Sequence, residues 1–70
     1  MSNKELLEGI GAKIKAGRLA KEMTLQQMAD TCKISLAAYW FIENGRRNVH
    51  ILTLKSISDQ LGISIVDLMQ

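Results

Sequence analysis

Residues 24–48 of this 70-residue chain read TLQQMADTCKISLAAYWFIENGRRN, and this stretch decides the fold. Thr24 can cap a helix that runs from Leu25 to about Cys32, because its hydroxyl can accept a hydrogen bond from an unpaired first-turn amide. A short turn follows, and Ser35 can cap a second helix in the same way. The stretch therefore predicts two helices joined by a turn of three or four residues.

The second helix should end at Ile42 or Glu43. Asn44 and Gly45 come next, and both residue types tolerate the left-handed backbone conformation that ends helices. Two helices joined by so short a turn can place the second helix in a DNA major groove. We therefore predict a helix-turn-helix over about residues 24–44, followed by a basic loop.

A further helix is predicted before this pair. Its apolar residues recur near the helical period, which predicts one buried stripe. The helix should follow a frayed start, from Met1 to about Lys4, and end near Lys21 and Glu22. Gly11 lies inside it and can mark a close approach to another helix. The stripe consists of Leu6, Leu7, Ile10, Ile14 and Leu19.

Two more helices are predicted after the basic loop. The fourth runs from about Ile51 to Leu61, and Ser64 can cap a fifth that continues to Met69. Together the pattern predicts an all-α fold of five short helices in one domain, residues 1–70.

The cysteine and histidine content and the short apolar runs exclude several classes of protein. A single cysteine, Cys32, excludes an internal disulfide and is expected to be a small buried hydrophobe. The single histidine, His50, lacks partners for a triad or metal site and is expected just before the fourth helix. We therefore predict no enzyme and no cofactor. No apolar run approaches the roughly 20 residues of a membrane span, so a cytoplasmic protein without membrane contact is expected.

The charge is distributed unevenly. The net charge is +2, and residues 1–50 carry eight Lys or Arg against five Asp or Glu. Residues 51–70 carry one Lys against two Asp. This weak basic bias toward the helix-turn-helix end is compatible with a polyanionic partner.

Four segments, in this order, resemble the lambda-repressor-like (Xre-type) helix-turn-helix family. They are IGAKIKAGRLAKEMT (10–24), QQMAD (26–30), IENGRRN (42–48) and LKSISDQLGISIVDLM (54–69). The resemblance implies a five-helix lambda-repressor-like domain, binding to double-stranded DNA at a pseudo-palindromic operator, and a homodimer. It also implies that Arg18 and Glu43 form a buried ion pair, the alternative being that both are exposed and solvated.

Within that family, RRNVHILTLKSIS (46–58) is similar to the controller proteins of restriction–modification systems, which are small dimeric regulators. The expected dimer interface lies on the fifth helix and the edge of the fourth. Its predicted residues are Ile51, Leu52, Ile65, Val66 and Met69.

The chain also departs from the family pattern. Lys33 stands in the turn where family members usually have Gly or Asn, so the turn is either strained or bent differently. In the third helix, Tyr39 and Ile42 are the predicted inward pair. The family's base-facing positions then correspond to Ser35, Leu36, Ala37, Trp40 and Phe41.

Leu36, Ala37, Trp40 and Phe41 cannot supply a bidentate hydrogen bond to guanine or adenine. Apolar contacts to thymine methyl groups, DNA shape, or bridging water could then carry specificity. Phosphate contacts are expected from both sides of the third helix, including the amides at the start of the second. The predicted phosphate ligands are Gln26, Gln27, Lys33, Asn44, Arg46, Arg47 and Asn48.

Two hypotheses follow for the function. The first is a sequence-specific, homodimeric transcriptional regulator, in a narrower form a restriction–modification controller protein. The alternative is a protein–protein interaction module on the same fold, with an apolar third helix (Leu36, Trp40, Phe41) that no longer reads DNA, because exposed large apolar residues are typical of a protein interface. A third possibility is that Trp40 folds back as core between the second and third helices.

Overall fold

The computed structural model describes residues 3–70 and contains five α-helices. They are α1 (Asn3–Ala20), α2 (Leu25–Cys32), α3 (Leu36–Glu43), α4 (Ile51–Leu61) and α5 (Ile65–Met69). The predicted all-α fold is confirmed, and α2 to α5 have the predicted bounds. The predicted frayed start is wrong at Asn3 and Lys4, which are helical, while Met1 and Ser2 lie outside the described residues. α1 also ends one or two residues earlier than predicted.

Side-chain caps explain why the bounds of the later helices follow from the sequence. The Thr24 hydroxyl accepts a hydrogen bond from the Gln27 amide at 3.0 Å, and the Ser35 hydroxyl accepts one from the Ala38 amide at 3.0 Å. Each cap satisfies a first-turn donor that has no partner inside the helix. α4 and α5 are capped in the same way by His50 and Ser64.

The core lies where all five helices meet. Its completely buried side chains include Ile14, Met28, Tyr39, Ile57 and Leu68. The prediction that Leu19 belongs to the buried stripe is wrong, since 55% of this residue is exposed. Five residues beyond Ile14 amount to a rotation of about 140° around the helix, which turns Leu19 away from the core.

Two glycines bring the end of α3 directly against α1. A Cβ atom on Gly11 would lie 2.7 Å from the Glu43 carbonyl carbon and 2.8 Å from the Ile42 oxygen, which confirms the predicted close approach. Gly45 has φ +66°, and a Cβ there would lie 2.8 Å from the backbone nitrogen of Glu8. Glycine is therefore required at both positions, by space at the first and by space and conformation at the second.

The turn between α2 and α3 passes through a left-handed residue that is not glycine. Lys33 has φ 58° and ψ 41°. Its amide donates to the Asp30 carbonyl at 3.1 Å, and the Ile34 amide donates to the Ala29 carbonyl at 3.1 Å. Of the two alternatives for this turn, the strained one is observed. Over residues 3–70, none of the helices has the length and apolar character to cross a membrane.

Candidate nucleic-acid interface

One face of α3 is apolar and open to solvent. Leu36, Trp40 and Phe41 are 43%, 42% and 41% exposed, and Ala37 beside them is exposed as well. Tyr39 and Ile42 are buried on the opposite side, as predicted. The possibility that Trp40 fills the space between α2 and α3 as a core residue is therefore wrong.

The aromatic residues of this face are held by specific contacts. The rings of Trp40 and Phe41 pack edge to face, with centroids 5.5 Å apart and an interplanar angle of 77°. The guanidinium carbon of Arg47 lies 5.8 Å from the centroid of the Phe41 ring. A contact of this kind stabilises an exposed cation by about 0.5–1 kcal/mol. It brings one arginine of the basic loop onto the outward side of α3.

Two hydrogen bonds fix the start of the basic loop. The Asn44 side-chain amide donates to the Trp40 carbonyl at 2.9 Å, and the Arg46 amide donates to the Phe41 carbonyl at 2.8 Å. The Trp40 carbonyl also accepts from the Asn44 backbone amide at 3.0 Å, whereas the Phe41 carbonyl is in the last turn of α3, where the helix supplies no donor. The side chains of Arg46 and Asn48 are exposed, as is that of Asn44.

The first turn of α2 carries a reciprocal cap. The Gln27 side-chain oxygen accepts a hydrogen bond from the Thr24 amide at 2.8 Å, while the Thr24 hydroxyl accepts from the Gln27 amide. Gln26 donates to Asp30 at 2.8 Å. Both glutamines proposed as phosphate ligands are therefore also structural. The sequence signal for this cap is Thr-x-x-Gln at the start of a helix.

The remaining predicted polar residues of this region lie in the turn. The side chain of Lys33 is exposed, and Ser35 is exposed with its hydroxyl oxygen occupied as the α3 cap. A serine hydroxyl that accepts one hydrogen bond can still donate its proton. Ser35 can thus cap the helix and contact a ligand at the same time.

Arg18 and Glu43 lie in direct contact in the interior, with 7% and 6% of each residue exposed. Arg18 Nε donates to Glu43 Oε2 at 2.8 Å, and Nη2 donates to Oε1 at 3.0 Å. The third nitrogen, Nη1, donates to the Met23 carbonyl at 2.9 Å. The hydrogen bonds to Glu43 raise the pKa of Arg18, so its guanidinium stays charged. This bidentate pair fastens α1 to the last residue of α3.

The Tyr39 hydroxyl is buried beside this pair. Among the described residues, no acceptor or donor is in hydrogen-bonding geometry with it. Burial raises the pKa of the phenol well above its usual value, and the neighbouring Glu43 carboxylate raises the pKa further.

The predicted dimer residues are mostly on the surface. Four of them are exposed, whereas Ile65 is partly buried and packs against the core. The exposed four are Ile51, Leu52, Val66 and Met69.

The two candidate reactive residues have structural positions. Cys32 is buried, and burial raises the pKa of its thiol, so the nucleophilic thiolate is disfavoured. His50 Nδ1 accepts a hydrogen bond from the Leu52 amide at 3.1 Å and caps α4. Within residues 3–70, no three His, Cys, Asp or Glu residues are grouped so that they could hold a metal ion.

Comparison with known proteins agrees with this architecture. The helix-turn-helix family pattern matches residues 14–68. A relative from Bacillus subtilis (strain 168), the uncharacterized HTH-type transcriptional regulator YqaF, is 37% identical over 49 residues. The match covers 70% of this chain and 64% of that protein, so the chain spans less than two thirds of its relative's length.

Solved structures show the same fold. The clp gene regulator ClgR from Corynebacterium glutamicum superposes with a TM-score of 0.84 at 31% identity, covering 91% of this chain and 82% of that one. The restriction–modification controller protein C.AhdI from Aeromonas hydrophila superposes with a TM-score of 0.81, covering 89% and 94%. Its identity is 22%, so this likeness concerns the fold alone. With the family pattern matching most of its length, this chain belongs to the Xre-type helix-turn-helix family.

Proposed function

We propose that this chain binds double-stranded DNA as a homodimer and regulates transcription, with α3 in the major groove. The observation that carries the proposal is the contact of Arg47 with Phe41 on the exposed side of α3. A helix that enters the major groove needs cations close to its outward face, because phosphates line both edges of the groove. A regulator of this kind would act in the compartment that holds the DNA, the cytoplasm.

Phosphate contacts are proposed on both sides of α3. The first-turn amides of α2 point out of the helix start and can bind a phosphate oxygen. Lys33, Arg46 and Arg47 add exposed positive charge. The proposed phosphate ligands are Gln26, Gln27, Lys33, Asn44, Arg46, Arg47 and Asn48, and the proposed base-facing residues are Ser35, Leu36, Ala37, Trp40 and Phe41.

We propose that the dimer forms through α5 and the start of α4. Ile51, Leu52, Val66 and Met69 are exposed apolar residues there, and burial of such residues favours association. Ile65 would contribute from its partly buried position. The dimer would present two α3 helices about 34 Å apart, one turn of DNA, and would read a pseudo-palindromic operator.

A narrower proposal is that the chain is a restriction–modification controller protein. It is supported by the resemblance of residues 46–58 to such proteins and by the fold shared with C.AhdI. The proposed dimer face is compatible with this assignment.

The test is the salt dependence of binding to duplex DNA. The logarithm of the affinity should fall linearly with the logarithm of salt concentration, by about 0.9 for each phosphate neutralised. Arg47→Gln should make this slope shallower by about 2, because a dimer loses two contacts. The matched control is Lys55→Ala, whose ammonium group lies on α4 and is already paired with Asp59 at 2.8 Å. An Arg47→Gln slope equal to that of the control would contradict the proposal.

The second candidate function is a protein-binding module that uses the apolar face of α3. Its supporting observation is the exposure of Leu36, Trp40 and Phe41. At about 40% exposure, three side chains of roughly 200–250 Å² offer on the order of 300 Å². A stable protein interface needs about 800 Å² from each partner, so this face alone is too small. Association with a protein that is insensitive to salt and lost in Trp40→Ala would favour this candidate.

A further inference from the structure

The apolar face of α3 forms two short rows of side chains. Ala37 and Phe41 are four residues apart and lie on one row, and Leu36 and Trp40 form the other. Four residues span about 6 Å along a helix, which is nearly two base-pair steps of about 3.4 Å. Each row can therefore meet about two neighbouring base pairs.

The chemistry of these rows discriminates between the groups that a major groove displays. Of the four side chains, only Trp40 carries a hydrogen-bonding group, the indole N–H, which is a donor only. A base amino group that is pressed against the rows loses its water and gains no partner, which is unfavourable. A base carbonyl or ring nitrogen meets the same penalty everywhere except at the Trp40 N–H. The C5-methyl group of thymine is the apolar group of the major groove and gains from the same contact.

Phe41 is the member of these rows whose position is most constrained. Trp40 packs edge to face against its ring, and the Arg47 guanidinium lies over it at 5.8 Å. The ring is thus held beside a cation that can bind the neighbouring phosphate. Because the Phe41 ring is already held in place beside this cation, its contact with a methyl group costs little conformational entropy.

Resting on the proposed DNA binding, we infer that α3 selects its sites through the C5-methyl groups of pyrimidines, with Phe41 as the specificity-determining residue. Thymine and 5-methylcytosine both display this methyl group at the same position of the major groove. The hydrogen-bonding edges of the purines would contribute little to the choice of site.

The experiment begins with selection of tight binders from a pool of random duplexes of about 30 base pairs, long enough for two half-sites one turn apart. The selected duplex is then remade with deoxyuridine in place of each thymine in turn, which removes only the methyl group. Loss of one buried methyl should weaken binding about fourfold, and loss of one in each half-site about 15-fold. A parallel selection uses a pool in which every cytosine carries the C5-methyl group. Enrichment of thymine or of methylated cytosine identifies which base supplies the methyl group.

Three variants assign the effect to Phe41. Phe41→Asn should bind the thymine and deoxyuridine duplexes equally, whereas Phe41→Leu, which keeps an apolar surface, should retain most of the preference. Leu19→Asn removes an apolar residue from α1 that is more exposed than Phe41, and it should behave as the wild type. Because every variant meets the same two duplexes, any change in DNA shape caused by deoxyuridine cancels in the comparison.

The outcomes separate this inference from the proposed function. Equal affinity of the wild type for thymine and deoxyuridine duplexes, with steep salt dependence retained, overturns the inference and leaves DNA binding intact. A preference for thymine that persists in Phe41→Asn overturns the role of Phe41. If no duplex is bound in a salt-dependent manner, both proposals are overturned.

Discussion

Replacing Arg18 by methionine should bring the protein close to global unfolding. The substitution removes three hydrogen bonds, two to Glu43 and one to the Met23 carbonyl, and leaves the Glu43 carboxylate buried without its partner. Breaking a buried ion pair in this way costs about 3–5 kcal/mol. A chain of this size has a total stability of about 4–10 kcal/mol, so the loss is a large part of the whole.

The assay is urea unfolding followed by far-ultraviolet circular dichroism, which reports all five helices. With a denaturant slope of about 1 kcal/mol per molar urea for so small a domain, Arg18→Met should lower the midpoint by about 3 M or more. The double variant Arg18→Met/Glu43→Leu leaves no buried charge and should recover most of the loss. The matched control is Lys55→Ala, which breaks an exposed pair and should change stability by no more than about 0.5 kcal/mol.

Two results would refute this reasoning. One is a destabilisation by Arg18→Met that is no larger than that of the Lys55→Ala control. The other is a double variant no more stable than Arg18→Met alone, since the cost would then come from lost packing rather than from an unpaired charge.

Three further predictions concern the backbone and the core. Lys33→Gly should raise the free energy of unfolding by up to about 1 kcal/mol, because glycine adopts the left-handed conformation of this turn without strain; a decrease in the urea midpoint would contradict this. Gly11→Ala should destabilise the protein because its Cβ meets the backbone of α3, whereas the control Gly9→Ala, with open space around it, should stabilise it by up to about 1 kcal/mol. The raised pKa of Tyr39 means that the folded protein keeps the phenol proton at a pH where the unfolded chain loses it. The free energy of unfolding should therefore fall above about pH 10, by up to about 1.4 kcal/mol per pH unit. Tyr39→Phe, which cannot titrate, should flatten this fall.

Local rules predicted most of the helices. The bounds of α2, α3, α4 and α5 depend on capping residues adjacent to each helix, and a cap can be recognised from residues next to one another in the sequence. α1 was predicted less well, and within residues 3–70 no side-chain cap marks its ends. Leu19 shows the limit of an apolar pattern. Residues share a buried stripe only when their angles around the helix axis agree, and the angle of Leu19 lies well outside the stripe.

The contacts of the candidate site were harder to foresee. The position of Arg47 over Phe41 depends on the path of the loop after α3, and a loop has no period from which that path could be read. The same applies to the buried Tyr39 hydroxyl, whose surroundings come from α1 and α3 together. Gln27 is different, because Thr-x-x-Gln is a local signal that was present in the sequence.

The C-terminal end of α3 is fastened to α1. There Glu43 binds Arg18, its carbonyl lies against Gly11, and Gly45 lies against Glu8, so three contacts with α1 act within three residues. The N-terminal end is held by the Ser35 cap and by a turn that needs a strained Lys33. The first turn is the part of a recognition helix that contacts base edges. The lysine in the turn and the ion pair thus act on the two ends of one helix: α1 determines the direction of α3 at its end, while the turn and the Ser35 cap hold its start.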